Sequence, residues 1–149
     1  MNKIRIVKLF TIEMAHQLFN HDGLCKNIHG HSYYLEVTIL GSPKEEAYHP
    51  KDGMVMDFSE LKNIIHKNII EPFDHALVLN QLVLDENIEK LRLFTEKICI
   101  VPFQPTCENL TLLFAKRISK ELPATLTLAK LKLGETATSF CEWCIEDNN

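Results

Sequence analysis

No stretch of this 149-residue chain approaches the roughly 18 consecutive apolar residues of a membrane-spanning helix, so no span is expected. Basic residues are not in excess either. Sixteen Lys and Arg stand against twenty Asp and Glu, and the net charge of −4 leaves no electrostatic footprint for nucleic acid or an anionic membrane. Repeats, low-complexity tracts and linker-like stretches are missing. The opening Met1-Asn2-Lys3-Ile4-Arg5-Ile6-Val7-Lys8 breaks its apolar residues with charges, unlike a signal peptide. Five cysteines is an odd number, which predicts reduced thiols and a cytoplasmic setting. Cys141-Glu142-Trp143-Cys144 has no second C-x-x-C to complete a structural zinc site. On a strand its two sulfurs would face opposite ways, so it reads as packing, as do Cys99 and Cys107. No Lys or Arg stands in a phosphate-cradling motif.

What is present is an ordinary globular composition, 46% hydrophobic and 24% charged, expected to form one domain over 1–149. Ile4 to Glu13 and Tyr33 to Leu40 read as strands from their alternation and β-branched content. Asp57, three residues before Glu60, resembles a capping box opening a helix with Phe58, Leu61, Ile64, Ile65 and Ile69 on one face, ended by Pro72. Thr106 predicts the N-cap of a second helix burying Leu110, Leu113, Phe114, Ile118 and Leu122. Leu126 to Leu133 and Ser139 to Ile145 read as closing strands around a turn at Gly134 to Thr138. Between the helices, 81–104 reads as an insert, with a short helix around Ile88, Leu91 and Phe94 and an extended Ile98 to Val101. This order predicts an α+β fold: a four-stranded antiparallel sheet with two helices on one face.

The chemistry concentrates early. His29-Gly30-His31 at the start of a strand puts both imidazoles on one face, with Cα atoms about 6.5–7 Å apart. Gly30 between them permits a turn or a close approach of backbone. With His16, three imidazoles suit zinc and leave a fourth position open, the mark of a catalytic rather than structural site. Cys25 lies beside them. The other candidates have plain readings from their settings: Asp74-His75 as a loop after Pro72, Glu135 as a turn carboxylate after Gly134, and Thr106 and Glu108 as a helix start.

Six blocks in order carry a resemblance. They are Phe10-Thr11-Ile12-Glu13-Met14-Ala15-His16-Gln17-Leu18, Cys25-x-x-x-His29-Gly30-His31, Met56-Asp57-Phe58-Ser59-Glu60-Leu61-Lys62, Phe73-Asp74-His75, Pro105-Thr106-Cys107-Glu108-Asn109-Leu110 and Glu135-Thr136. Together they resemble the 6-pyruvoyl-tetrahydropterin synthase family. The three residues between Cys25 and His29 are most similar to its bacterial 6-carboxytetrahydropterin synthases of the queuosine pathway.

The resemblance implies a tunnelling fold whose subunits close an oligomeric barrel, typically a hexamer, with active sites between subunits. It implies Zn2+ on His16, His29 and His31, acting as a Lewis acid on the side-chain hydroxyls of a pterin triphosphate, 7,8-dihydroneopterin triphosphate. Cys25 is then the general base. His75, oriented and charge-balanced by Asp74, shuttles a proton at a neighbour's site. Glu135 anchors the pterin, with Thr106 and Glu108 as secondary contacts. Three functions share this site: a lyase giving 6-carboxytetrahydropterin and acetaldehyde, a 6-pyruvoyl-tetrahydropterin synthase, and a binding homologue without turnover. Three departures stand out: Met14 where alanine is common, one extra residue between His75 and Asn80, and the long 81–104 stretch.

Overall fold

A computed structural model of the chain describes residues 2–148. Two long strands, β1 (Ile4–His16) and β2 (His29–Gly41), pair antiparallel along their full length, from Ile4 opposite Gly41 to His16 opposite His29. Period-two alternation sets which face each residue takes. Ile12, Met14 and His16 of β1, with Tyr33, Leu35, Val37 and Ile39 of β2, are buried on one side. Glu13, Ser32 and Tyr34 point the other way. On β2's far edge, β5 (Thr127–Gly134) and then β6 (Phe140–Cys144) continue the antiparallel order as the sequence predicts.

On β1's other edge the expectation of four antiparallel strands is corrected. β3 (Ala76–Asn80) runs parallel to β1 over Met14–His16, and β4 (Ile98–Val101) runs parallel to β3. The result is one six-stranded mixed sheet in the order β4-β3-β1-β2-β5-β6. Every residue of β3 is buried. A strand covered on both faces has no alternation, and that hid it in the sequence.

The helices also divide. α1 (Phe58–Ile65) is capped by the Asp57 carboxylate, which accepts from the Ser59 N–H at 2.8 Å, while Glu60 turns away to pair with Lys51. The helix passes through a π turn (His66–Ile70) into α2 (Glu71–Phe73), so Pro72 sits inside the final turn rather than ending the helix before it. α4 (Cys107–Glu121) starts at Thr106, whose hydroxyl accepts from the Asn109 N–H. Leu61, Ile65, Ile69, Phe73, Leu110, Phe114 and Ile118 pack with the inward side chains of β1, β2 and β5 in the main core. Met14 fills part of that core. The insert's helix α3 (Asp85–Leu91) belongs to a second core, in which Ile88 joins Leu77, Leu79 and Val83 against Ala15. Ala15 points opposite to Met14 and His16, so α3 covers the other face and the helices do not all share one side. Among the described residues no helix is long and apolar enough to cross a membrane.

Candidate active site

The strand ends bring His16, His29 and His31 together. His16 is directly opposite His29, and His31 is the next inward residue along β2. One ring nitrogen or its alternative from each lies within 4.8 Å of the others, and the ring centroids are 4.5, 5.0 and 5.4 Å apart. Two rings are oriented from behind. His16 Nδ1 donates to the Pro105 carbonyl at 2.7 Å and His29 Nδ1 to the Asn27 carbonyl at 2.8 Å. This fixes the tautomer that leaves each Nε2 lone pair facing the centre, as second partners do around metal-bound imidazoles. His31 Nε2 is buried with no hydrogen-bond partner. A buried polar atom without a partner is costly, and a cation between the three rings would satisfy it. Burial pushes the His16 pKa down against the Pro105 hydrogen bond, with the His29 ring adding to the depression. His16 is thereby kept in the neutral form that a metal requires. The three residues fit a metal ion. Gly30, by contrast, needs no special conformation and pairs with Ala15 as an ordinary strand residue.

Cys25 sits in a short 3-10 turn (Leu24–Lys26), half-buried. The turn is tied back by the Leu18 N–H, which donates to the Cys25 carbonyl at 3.0 Å, and by the Gln17 amide on Lys26 O. Cys25 lines a cavity of about 370 Å³ with His16, Thr106, Glu108 and Glu135. Five residues singled out from four separate sequence blocks thus share one wall. Glu135 follows directly on β5, and its Oε1 is 3.6 Å from His16 Nε2 and 3.7 Å from His31 Nε2.

Four contributors were given no part in the site from sequence. The Tyr33 hydroxyl donates to Glu135 Oε1 at 3.2 Å, and its ring meets His16 and His31 edge-on. Burial, reinforced by the Glu135 charge, raises the Tyr33 pKa, so it remains a neutral donor. Its signal was available, since Tyr33 continues the 29, 31, 33 period on one strand face. Gln104 accepts from the Phe19 N–H and donates to the Phe19 carbonyl, at 2.9 and 2.7 Å, anchoring the loop that leads to Cys25 across 85 residues. Cys107 and Cys141, expected to be incidental packing, stand on the cavity wall. Burial and the neighbouring Cys141 push the Cys107 thiol up to about 12, and burial raises Cys141 as well, so both stay protonated at neutral pH.

Asp74 and His75 are elsewhere. They follow α2 at the edge of β1, where Asp74 Oδ1 accepts from the Glu13 N–H at 2.9 Å and His75 N–H donates to the Glu13 carbonyl. His75 takes a left-handed backbone, φ +59°, and its Nδ1 bonds Asp74 Oδ2 at 2.9 Å. Burial would raise the Asp74 pKa, but the Glu13 and His75 hydrogen bonds outweigh it and hold the carboxylate below its usual range. The imidazole is 77% exposed and opens on a second cavity with Glu13, Gly30, Ser32 and Phe94, which His31 of the histidine cluster also lines. Within one chain the His75 cavity and the Cys25 cavity have no lining residue in common. Asn80, whose spacing from His75 departs from the usual pattern, ends β3 buried and accepts from the Leu82 N–H.

With this geometry in view, known proteins agree on the ancestry. A profile of 6-pyruvoyl tetrahydropterin synthase matches residues 5–145. The 6-carboxy-5,6,7,8-tetrahydropterin synthase of Haemophilus influenzae is 38% identical over 141 residues, 93% of this chain and 97% of that protein. That of Rickettsia typhi is 33% identical over 143 residues, 93% and 99% of the two chains. The fold matches 6-pyruvoyl tetrahydropterin synthase from Caenorhabditis elegans (TM-score 0.69, 22% identity, 97% and 96% of the two chains). It also matches that from Plasmodium vivax (TM-score 0.70, 15% identity, 96% and 98%). A match over nearly the whole length, in a chain whose three clustered histidines can hold a metal, identifies it as a member of the 6-pyruvoyl tetrahydropterin synthase family.

Proposed function

We propose that this protein is a zinc-dependent lyase of the 6-carboxytetrahydropterin synthase type, in queuosine biosynthesis. It takes 7,8-dihydroneopterin triphosphate and water to 6-carboxytetrahydropterin, acetaldehyde and triphosphate. The observation that carries the reading is the unpartnered His31 Nε2 among three clustered histidines, one of which, His16, lines a cavity with Cys25 and Glu135. The names of relatives at 38% and 33% identity support the choice of product.

His16, His29 and His31 hold the zinc, which when bound supplies a Lewis acid that makes protons beside the substrate's hydroxyl-bearing carbons easier to remove. Cys25, as thiolate, is the general base for that proton. Cys107 and Cys141 are unsuited to it because burial keeps them as thiols. Glu135 accepts two parallel hydrogen bonds from the aminopyrimidine edge of the pterin, with Tyr33 fixing one carboxylate oxygen. Thr106 and Glu108 border the same pterin end of the cavity. His75, kept in one orientation by Asp74, moves a proton on the opposite side of the substrate. Because it lines a cavity apart from its own chain's Cys25, it serves the site of a neighbouring copy. The working form is then a homo-oligomer, and a hexamer closing a barrel removes the exposed sheet edges.

The test is product identification by mass spectrometry after incubating zinc-loaded protein with 7,8-dihydroneopterin triphosphate. A 6-carboxy product with one acetaldehyde per turnover is expected. A 6-pyruvoyl product would replace the assignment with triphosphate elimination alone, and unchanged substrate would replace it with a binding role.

A further inference from the structure

The insert that covers the far face of the sheet also touches the Asp74–His75 pair, through Lys97. Its ammonium donates to the Asp74 carbonyl and to the Glu71 carbonyl, both at 2.6 Å. These are free carbonyls at the C-terminal end of α2, where a cation satisfies acceptors that the helix leaves unpaired. The same residue's carbonyl accepts from the Leu77 N–H at 2.9 Å. Lys97 thus grips the chain on both sides of His75, at Asp74 and at Leu77. Glu13 grips it from β1, with its N–H on the Asp74 carboxylate and its carbonyl on the His75 N–H. Between these holds His75 adopts φ +59°, a region a bulky side chain leaves unless its surroundings over-determine it. An imidazole that is 77% exposed has little packing to keep it there, so the backbone contacts do that work.

We propose that Lys97 is a positioning residue for His75: it fixes the backbone on either side of the left-handed residue, so that the Asp74-bonded imidazole is presented in one direction. This inference rests on the reading that His75 handles a proton in turnover. It goes beyond it by giving the 81–104 segment a part in catalysis, from a residue outside every matched sequence block. A tie that only stabilised the fold would move the melting temperature and leave chemistry alone. A positioning contact lowers kcat, since a misplacement of about 1 Å costs up to about a hundredfold.

The experiment compares K97M, K97R, H75A and the K97M/H75A double variant in zinc-loaded protein, reading kcat, KM for 7,8-dihydroneopterin triphosphate, bound zinc and melting temperature. K97M is expected to lose about tenfold or more in kcat with KM and zinc content unchanged. K97R, able to reach both carbonyls, should recover to within about threefold, and adding K97M to H75A should cost nothing further. If K97M proves unstable, K97Q, which keeps a donor without charge, carries the same comparison. Full kcat in K97M while H75A is impaired overturns the role of Lys97, as does a K97M loss of equal size in the H75A background. Full activity in H75A instead overturns the reading of His75 beneath it.

Discussion

The two sides of the β1–β2 end hold their polar residues in opposite ways. On the helix side, His16 is 2% exposed, and the ring nitrogens of His16 and His29 that face away from the centre are tied to carbonyls. The rings are thus oriented before anything binds, and their convergence leaves one buried nitrogen unsatisfied. On the far side, His75 is held by its backbone and by Asp74, while the ring itself projects into an open cavity. The first arrangement is a cluster of imidazoles set to accept a cation. The second is an exposed ring on a cavity that His31 also lines. The buried cluster is specified by side-chain packing and the exposed pair by backbone restraint.

Breaking the buried half should cost most. H31A is expected to lose metal and turnover together, measured as bound zinc per chain and product formed; normal zinc retention would move the metal elsewhere. C25A comes next. It should keep its zinc and bind substrate while losing about 100- to 10,000-fold in kcat, and an active C25A would overturn the base assignment. Y33F sharpens the comparison by removing one hydroxyl. Losing its bond to Glu135 should weaken stability or substrate binding by about 1–3 kcal/mol with the metal retained, read by denaturant midpoint and KM.

The smallest effect belongs to the exposed half. Because the Asp74 pKa is depressed on folding, its contribution to stability is present above the ordinary value of 3.8 and fades as pH falls through the lower folded value. D74N should therefore narrow the stability gap between neutral and acid pH. The difference in denaturant midpoint from wild type should be greatest near neutrality and absent in strong acid; a constant offset would count against the carboxylate.

Much of the buried half was legible because its signals are local. The period-two spacing of His29 and His31, the Asp57 and Thr106 caps and the alternation of the antiparallel strands all act within a few residues. The exposed half was harder to read. Ala76-Leu77-Val78-Leu79-Asn80 is a short apolar run buried on both faces, which carries no alternation to mark it as a parallel strand. That strand moved α3 to the opposite face and set Lys97 against the end of α2. Gln104 reads as an ordinary loop residue until the fold brings it to Phe19. His66, outside all six sequence blocks, is half-buried with its ring edge-on to Phe10 at 6.5 Å.

If His75 and Cys25 belong to one site built from two copies of the chain, two inactive variants should complement each other. The direct measurement mixes two inactive variants, C25A and H75A, under conditions of subunit exchange and assays the mixture. Pairing an intact Cys25 from one copy with an intact His75 from another should restore up to about a quarter of wild-type activity at equal proportions, the statistical share of intact pairings. A mixture that exchanges subunits yet remains as inactive as its components would contradict the claim.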